Sequence, residues 1–221
     1  TSWIEKRVNS AEKTHLNMLF DKYVPILHDQ VKRRFKMITP LSGICYVQVL
    51  CTLLDALITP NNVPSDSPRE LYEIFFVFAL IWSYGSALYF DGQTDNKLEF
   101  SKFFQQTFPA FKFPPGMSVF DAWIDPISNE FVSWNDKVPK FELDTDIPLQ
   151  ACLVHNSETV RITYFLDILV KQRFPAMLVG LAGCGKTLLV NEKLGTMGDD
   201  FAIANVPFNF YYTSEMTQKV L

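Results

Sequence analysis

One short segment of the chain has the residue types and the spacing needed to bind a phosphate. Residues 180–187 read GLAGCGKT, which satisfies the pattern G-x-x-x-x-G-K-[ST]. Glycines in such a phosphate-binding loop (P-loop) let successive backbone N–H groups converge on a phosphate at the positive end of the following helix. Lys186 supplies a positive charge to the β- and γ-phosphates, and the Thr187 hydroxyl is a Mg²⁺ ligand. The sequence therefore predicts a site for ATP or ADP with Mg²⁺, made of Gly180, Leu181, Ala182, Gly183, Cys184, Gly185, Lys186, Thr187 and Leu188.

The sequence around this loop alternates between helix and strand, as the loop requires. Helices are predicted over 157–170 and about 185–194, and buried strands over 176–179 and near 203–208. Cys184 has two interpretations. It is either a tolerated small residue, which we favour, or a thiol made reactive by the nearby lysine and the helix N-terminus.

Nucleotide hydrolysis also needs an acidic residue at the end of a second strand, to hold Mg²⁺ and water. The residues that follow the loop include Asp199, Asp200 and Glu215, but none of them ends an apolar strand. No catalytic residue is therefore predicted within the chain, and residues outside it must complete any active site.

The first half of the chain has the periodicity of helices. Apolar residues recur at three- and four-residue steps from residue 11 to about 37, with Ser10 as the predicted N-cap. Pro25 predicts a kink or a break within this helix. Further helices are predicted over 41–58, from Ser67 (N-cap) and Pro68 (first helical residue) onward, and over 96–106.

Residues 74–90 form an apolar run without a formal charge, so a membrane span has to be considered. A spanning helix needs about 20 predominantly apolar residues, and this run is short and interrupted by Ser83, Gly85 and Ser86. Acidic residues bracket the run, and no basic cluster flanks it. The central helix of a helical domain is therefore the favoured interpretation.

Prolines and a glycine within residues 109–116 end the helical part of the chain. Beyond them, residues 119–124 and 130–134 are rich in aromatic and β-branched side chains and flank a turn-forming segment. This pattern predicts a β-hairpin in a linker. We interpret Trp123 and Trp134 as a cross-strand packing pair rather than a partner-binding pair.

The composition fits a folded chain and excludes several classes of partner. Of the 221 residues, 48% are hydrophobic and 20% are charged, which excludes disorder. The formal net charge is −4, so neither nucleic acid nor a membrane is an expected partner. The 4 cysteines lack metal-ligand spacing and fit a reducing compartment. No signal peptide or start methionine is visible, which suggests a piece of a longer protein.

Several segments resemble a known family. Together with the P-loop, residues 205–216 (NVPFNFYYTSEM) resemble the third AAA+ module of axonemal dynein heavy chains. Residues 120–126 (FDAWIDP), 134–141 (WNDKVPKF) and 153–161 (LVHNSETVR) are similar to the linker and the beginning of that module in outer-arm-type chains. The resemblance covers essentially the whole sequence.

The resemblance implies an α plus α/β fold in three parts. Residues 1–115 would form the helical lid of the second AAA+ module, and residues 116–147 a linker with the β-hairpin. Residues 148–221 would form the truncated beginning of a P-loop AAA+ α/β domain. The resemblance also implies that Leu153, Val154 and Thr159 lie in the adenine pocket, although a core role for Val154 stays open.

In function, the resemblance implies an ATP-driven, minus-end-directed microtubule motor in the cytoplasm, the cytoskeleton and the axoneme of cilia and flagella. The implied partners are the remainder of the heavy-chain ring, microtubules, and dynein intermediate and light chains. The third module of this family is regulatory, so the site would control coupling between the main ATPase module and the stalk. The chain alone is expected to be an inactive part of a P-loop ATPase.

Two alternatives start from the same residues. In the first, the loop holds a permanent structural nucleotide within a non-hydrolytic scaffold of a AAA+ ring. In the second, the chain is a small P-loop kinase, which is disfavoured because the loop begins at Gly180, after a long helical segment.

Overall fold

The computed structural model describes residues 2–64, 66–140, 154–199 and 201–220. The chain divides into two compact units, Thr1–Val179 and Gly180–Leu221. The first unit contains helices α1 (Ser2–Glu5), α2 (Ser10–Arg34), α3 (Gly43–Leu57), α4 (Arg69–Gly85), α5 (Asn96–Thr107) and α6 (Ser157–Lys171), and strands β1 (Ala122–Ile124) and β2 (Phe131–Ser133). The second unit contains helices α7 (Lys186–Gly195) and α8 (Ser214–Val220).

Helix α4 forms the centre of the first unit. Its buried residues include Phe76, Val77, Ala79, Leu80, Ile81 and Tyr84, each 0% exposed. The ring of Phe76 lies 5.1 Å from that of Phe20 in α2. The ring of Tyr84 stacks on that of Tyr46 in α3 at 4.8 Å. The predicted central helix is therefore confirmed, and no helix among the described residues is both long and apolar enough to cross a membrane.

Helix α2 continues through its proline. Pro25 lies inside this 25-residue helix, so a break at this position is wrong, and a kink there stays a prediction. Proline removes one backbone N–H and crowds the preceding turn, but Tyr23 and Leu27 on either side are buried in the core and hold the helix in place. The N-cap is Asn9 rather than Ser10, since the Asn9 side-chain oxygen accepts a hydrogen bond from the Ala11 N–H at 2.8 Å.

The remaining helices of this unit agree with the predictions to within a few residues. Helix α4 begins at Arg69, one residue after the predicted start, because Pro68 has an extended ψ of 156° and is itself the N-cap. Helix α5 begins after Asp95, whose carboxylate accepts hydrogen bonds from the N–H groups of Lys97 and Leu98. The short helix α1 is not predicted from the sequence.

The predicted β-hairpin is present, but its strands are shorter than expected. A 3₁₀ helix occupies Val119–Asp121, and a second one, Trp134–Lys137, follows β2. The antiparallel register pairs Ala122 with Ser133 and Ile124 with Phe131. The first 3₁₀ helix replaces a strand because Ser118 and Asp121 form a reciprocal capping box there.

The tryptophan pair packs at the end of the hairpin. The rings of Trp123 and Trp134 lie 6.0 Å apart, and the Trp123 indole N–H donates to the carbonyl of Ser133 at 3.1 Å. Trp134 is only 1% exposed. This burial agrees with the packing interpretation of the pair.

Helix α6 packs against α4 and the segment that leads into the hairpin. The ring of Phe165 lies 4.4 Å from that of Trp82 and stacks on that of Phe78 at 5.9 Å. The Arg161 guanidinium donates to the carbonyl of Phe120 at 3.1 Å. The predicted helix over 157–170 is thus confirmed, and aromatic stacking and a charged hydrogen bond hold it on α4 and the hairpin segment.

The two predicted strands of the α/β region are wrong. Residues 176–179 and 203–208 form neither helix nor strand in the described part of the chain. Their apolar side chains are largely exposed, with Met177 at 82%, Ile203 at 53% and Phe208 at 76%. An apolar run becomes a buried parallel strand only when neighbouring strands and covering helices supply its hydrogen bonds and packing.

The predicted three-part division of the chain stays a prediction. Residues 141–147 of the predicted linker and residues 148–153 of the predicted P-loop domain lie outside the described residues. The hairpin belongs to the hydrophobic core of the first unit through Ala122, Ile124 and Phe131. The α7 helix predicted after the P-loop is confirmed.

Candidate functional site

The P-loop owes its shape to two glycines in the left-handed region. Gly183 has φ of 79° and Gly185 has φ of 81°, conformations that side-chain-bearing residues rarely adopt. Gly185 is the N-cap of α7, so Lys186 and Thr187 occupy the first helical turn. The loop therefore presents the backbone N–H groups at the start of α7, where the helix dipole favours an anion.

Lys186 lies back across the loop. Its ammonium donates hydrogen bonds to the carbonyl of Gly180 at 3.0 Å and to that of Leu181 at 2.6 Å. These two contacts hold the positive charge on the loop itself. The sequence predicts that Lys186 contacts the phosphates. It does not predict the contacts with the two carbonyls, because the P-loop pattern specifies residue types and not backbone hydrogen bonds.

Cys184 lies in the loop beside this lysine. Its sulfur lies 3.5 Å from the Lys186 nitrogen. A Cβ atom placed on Gly180 would come within 3.2 Å of the same sulfur, so a larger residue at 180 would press on Cys184. Cys184 is exposed and unpaired by any disulfide. The interpretations of Cys184 as a tolerated small residue and as a reactive thiol both stay predictions.

The space above the loop is open. A Cβ atom placed on Gly183 or on Gly185 would meet no heavy atom within 4 Å. Thr187 is exposed, as an Mg²⁺ ligand must be before the ion binds, and Leu188 is 44% exposed. Leu189 is buried and anchors the first turn of α7. The exposed loop residues, the left-handed glycines and the adjacent lysine fit the phosphates of a nucleotide with Mg²⁺.

The predicted adenine pocket stays a prediction. Leu153 lies outside the described residues, and Val154 is 56% exposed. Thr159 forms the capping box of α6, since its N–H donates to the Asn156 side-chain oxygen at 2.9 Å and its hydroxyl accepts from the Asn156 N–H at 2.8 Å. In the described structure Thr159 therefore has a structural role at the start of α6.

Comparison with known families adds the context of the loop. The family described as "Dynein heavy chain AAA lid domain" matches residues 16–136. The family described as "P-loop containing dynein motor region" matches residues 141–221, which include the loop. The lid match covers α3–α5 and the hairpin, which agrees with the helical unit described above.

Similar proteins cover the full length of the chain. It is 50% identical over 221 residues to "Dynein beta chain, ciliary" of Heliocidaris crassispina, covering 100% of this chain and 5% of that protein. It is 49% identical over 222 residues to "Dynein axonemal heavy chain 17" of Homo sapiens, with the same coverage of 100% and 5%. The "Dynein alpha chain, flagellar outer arm" of Chlamydomonas reinhardtii is 32% identical over 208 residues, covering 94% and 5%.

The chain thus spans only 5% of the length of these curated relatives. Both family matches and the relatives agree with the residues that carried the resemblance in the sequence. The helices and the hairpin lie within the lid match, and the P-loop with its helix lies within the motor-region match that follows it. The chain belongs to the dynein heavy chain family, of which it contains an AAA lid domain and the beginning of a P-loop motor region.

Proposed function

We propose that residues 180–188 bind ADP or ATP together with Mg²⁺. The observation that carries this proposal is the loop geometry, in which two left-handed glycines lead into α7 and the Lys186 ammonium lies on the carbonyls of Gly180 and Leu181. Lys186 would meet the β- and γ-phosphates, and the Thr187 hydroxyl would be a Mg²⁺ ligand. Bound Mg²⁺ would neutralise phosphate charge and help to orient the nucleotide.

We further propose that the chain is a segment of an axonemal motor that moves toward microtubule minus ends with energy from ATP. Relatives named ciliary, axonemal and flagellar support this assignment. The loop would belong to the third AAA+ module, whose nucleotide state regulates the main ATPase module. The remainder of the heavy-chain ring, microtubules, and intermediate and light chains would be the partners, in the cytoskeleton of cilia and flagella.

Nucleotide binding can be tested on the chain by NMR, through the backbone amide signals of the loop. We expect addition of millimolar Mg²⁺–ADP to shift the signals of Gly183, Gly185 and Thr187. Lys186→Ala should weaken binding at least about tenfold, since a charge-assisted hydrogen bond is lost. Lys219→Ala is a matched control, because Lys219 is an exposed lysine of the same unit that pairs with Glu215 at 3.1 Å.

Two results would contradict this proposal. One is an absence of loop shifts with nucleotide, and the other is equal binding by the Lys186→Ala and Lys219→Ala variants. Hydrolysis needs a separate assay, since we expect the chain alone to have no ATPase activity. Steady turnover that Lys186→Ala abolishes would show that the site is complete without further residues.

A further inference from the structure

A groove of about 750 Å³ lies on the surface of the first unit, between α2 and α3. Helix α2 contributes two neighbouring rows of side chains, each spaced four residues apart, and α3 contributes one residue. The lining residues are Val24, Pro25, His28, Asp29, Lys32, Arg33 and Val47. The groove therefore combines apolar side chains with charged ones.

The two helices are packed closely beside this groove. A Cβ atom placed on Gly43, the first residue of α3, would clash with the ring of His28 in α2. The His28 ring also meets the ring of Tyr46 edge-on at 6.3 Å. Tyr46 is 4% exposed and belongs to the hydrophobic core. Core packing therefore holds the α2–α3 groove in place before any ligand binds.

The charged side chains of the α2–α3 groove are positive in excess. Asp29 is the acidic residue that lines it, and its carboxylate pairs with the Arg33 guanidinium at 2.7 Å. Lys32 is exposed and has no ion-pair partner in the part of the chain that the structure describes. One positive charge of the groove is therefore uncompensated, so the groove attracts an acidic ligand.

Exposed apolar side chains extend the groove around the start of α3. Ile44 is 65% exposed and lies one turn before Val47, on the same side of this helix. Ile38 and Leu41, in the segment that joins α2 to α3, are 41% and 39% exposed. Single exposed apolar residues are ordinary on a protein surface, whereas a group of them rimmed by polar residues is typical of an interaction site.

We propose that the α2–α3 groove binds an acidic amphipathic helix of a partner protein. The apolar face of the partner helix lies over Val24, Val47 and Ile44, as in complexes where a groove receives the apolar face of a helix. Its carboxylates pair with Lys32 and Arg33, and this charge complementarity selects an acidic partner over a neutral or basic one. The interaction is independent of nucleotide binding at the P-loop, which lies in the other unit.

Designed peptides test the chemistry of the partner. An acidic probe of about 18 residues, long enough to form a helix in water, carries leucine on one face and glutamate on the other. The neutral probe has glutamine in place of every glutamate. Fluorescence anisotropy of each labelled probe measures its binding to the chain. We expect the acidic probe to bind at least about tenfold more tightly, although the net charge of −4 on the chain opposes this order. Equal binding of the two probes would overturn the proposal.

Variants of exposed residues locate the binding. Lys32→Glu and Ile44→Ser should each weaken binding of the acidic probe at least about fivefold, through lost charge pairing and lost apolar contact. Lys112→Glu, in the exposed loop after α5, and Val8→Ser, at a residue 99% exposed, are the matched controls and should keep the Kd within about twofold. Tryptophan fluorescence during heating confirms that each variant is folded. Equal losses in the groove variants and in their controls would overturn the proposal.

Two further measurements test whether the helix comes from a partner protein. Sedimentation equilibrium shows whether the chain associates with itself, and a dimer that Lys32→Glu dissociates would assign the groove to a second copy of the chain. In the isolated heavy chain, the Lys32 amine is labelled with an N-hydroxysuccinimide ester and compared with the 221-residue chain. We expect labelling rates within about threefold of each other, because the groove is free until the partner binds. Protection of Lys32 in the heavy chain would show that another part of the same polypeptide covers the groove, and would overturn the assignment to a partner.

Discussion

Gly85, the last residue of α4, faces the ring of Phe120. A Cβ atom on Gly85 would lie 2.4 Å and 2.5 Å from two carbons of that ring. Phe120 cannot move aside easily, because it is 3% exposed and packs against Trp82 and Phe100. We expect Gly85→Ala to destabilise the first unit by about 1–3 kcal/mol through overpacking, measured by urea unfolding followed by tryptophan fluorescence.

A double variant shows whether this clash is the cause. Phe120→Leu removes the ring atoms that the new methyl group would meet. The loss of unfolding free energy in the double variant should therefore be smaller than the sum of the losses in the two single variants. The difference, which is the coupling energy between the two sites, should be about 0.5–3 kcal/mol. Strict additivity, or a stable Gly85→Ala single variant, would contradict the packing described here.

These residues also show the limits of prediction from the sequence. Lys186 and Thr187 could be assigned because a P-loop is contiguous and its spacing has a physical cause. Gly85 and Arg161 could not be assigned. Their roles depend on Phe120, which is distant in sequence, and no local pattern reports such a contact.

Among the elements, α6 contacts the hairpin segment through the Arg161 guanidinium. Arg161 donates to the carbonyl of Phe120 at 3.1 Å and to the Asp121 carboxylate at 3.4 Å, and its side chain is 15% exposed. We expect Arg161→Met to destabilise the first unit by about 1–3 kcal/mol, because the buried carbonyl loses its charged partner. Urea unfolding measures this, with Lys171→Met at the exposed end of α6 as the control. Equal stability of the two variants would contradict the role of Arg161.

The turn between α4 and α5 makes the stability of the first unit depend on pH. The Asp91 carboxylate accepts hydrogen bonds from the Lys36 ammonium at 2.6 Å and from the N–H groups of Thr94 and Gln93. These bonds, above all the one from Lys36, lower the pKa of Asp91 from 3.8 to about 2. A lowered folded-state pKa gives stability that is fully present above the unfolded pKa and is lost as the pH falls through the folded value.

We therefore expect the Tm of the wild-type chain to fall between pH 3.8 and about 2, and Asp91→Asn to reduce this fall. The fall should not vanish, since hydrogen bonds from the backbone N–H and the hydroxyl of Ser128 lower the pKa of Asp125 as well. Thermal unfolding at a series of pH values measures how steeply the Tm falls in the wild-type chain and in Asp91→Asn. The exposed Asp136→Asn serves as the control, and an Asp91→Asn slope equal to that of the control would exclude the assigned role.

Helix positions could be predicted because an apolar period of 3.6 residues marks one face of each helix. The absence of strands near 176–179 and 203–208 could not be predicted. The residue types favour strand, but a strand in a parallel sheet exists only through its neighbours, and Met177 and Phe208 are exposed in the described structure. Local preference was therefore overruled by the absence of partner strands among the described residues.

At the scale of the whole molecule, the chain corresponds to a small part of each relative that it matches. The chain covers 5% of the length of these relatives, and both matches extend over 100% of the chain. The sequence could predict the family because several segments between residues 120 and 216 carry the resemblance. It could not predict whether nucleotide at this loop exchanges, because a P-loop pattern indicates phosphate binding and not exchange.

The most direct test of the central claim is the occupancy of residues 180–187 in the intact motor, imaged at a resolution that separates ADP from ATP. We predict nucleotide at the loop, with Mg²⁺ at the Thr187 hydroxyl. We also predict that its identity differs between motors prepared with an ATP analogue and motors prepared without nucleotide. ADP that never exchanges would contradict the regulatory role and favour a structural nucleotide. A loop without nucleotide in both preparations would contradict the binding site itself.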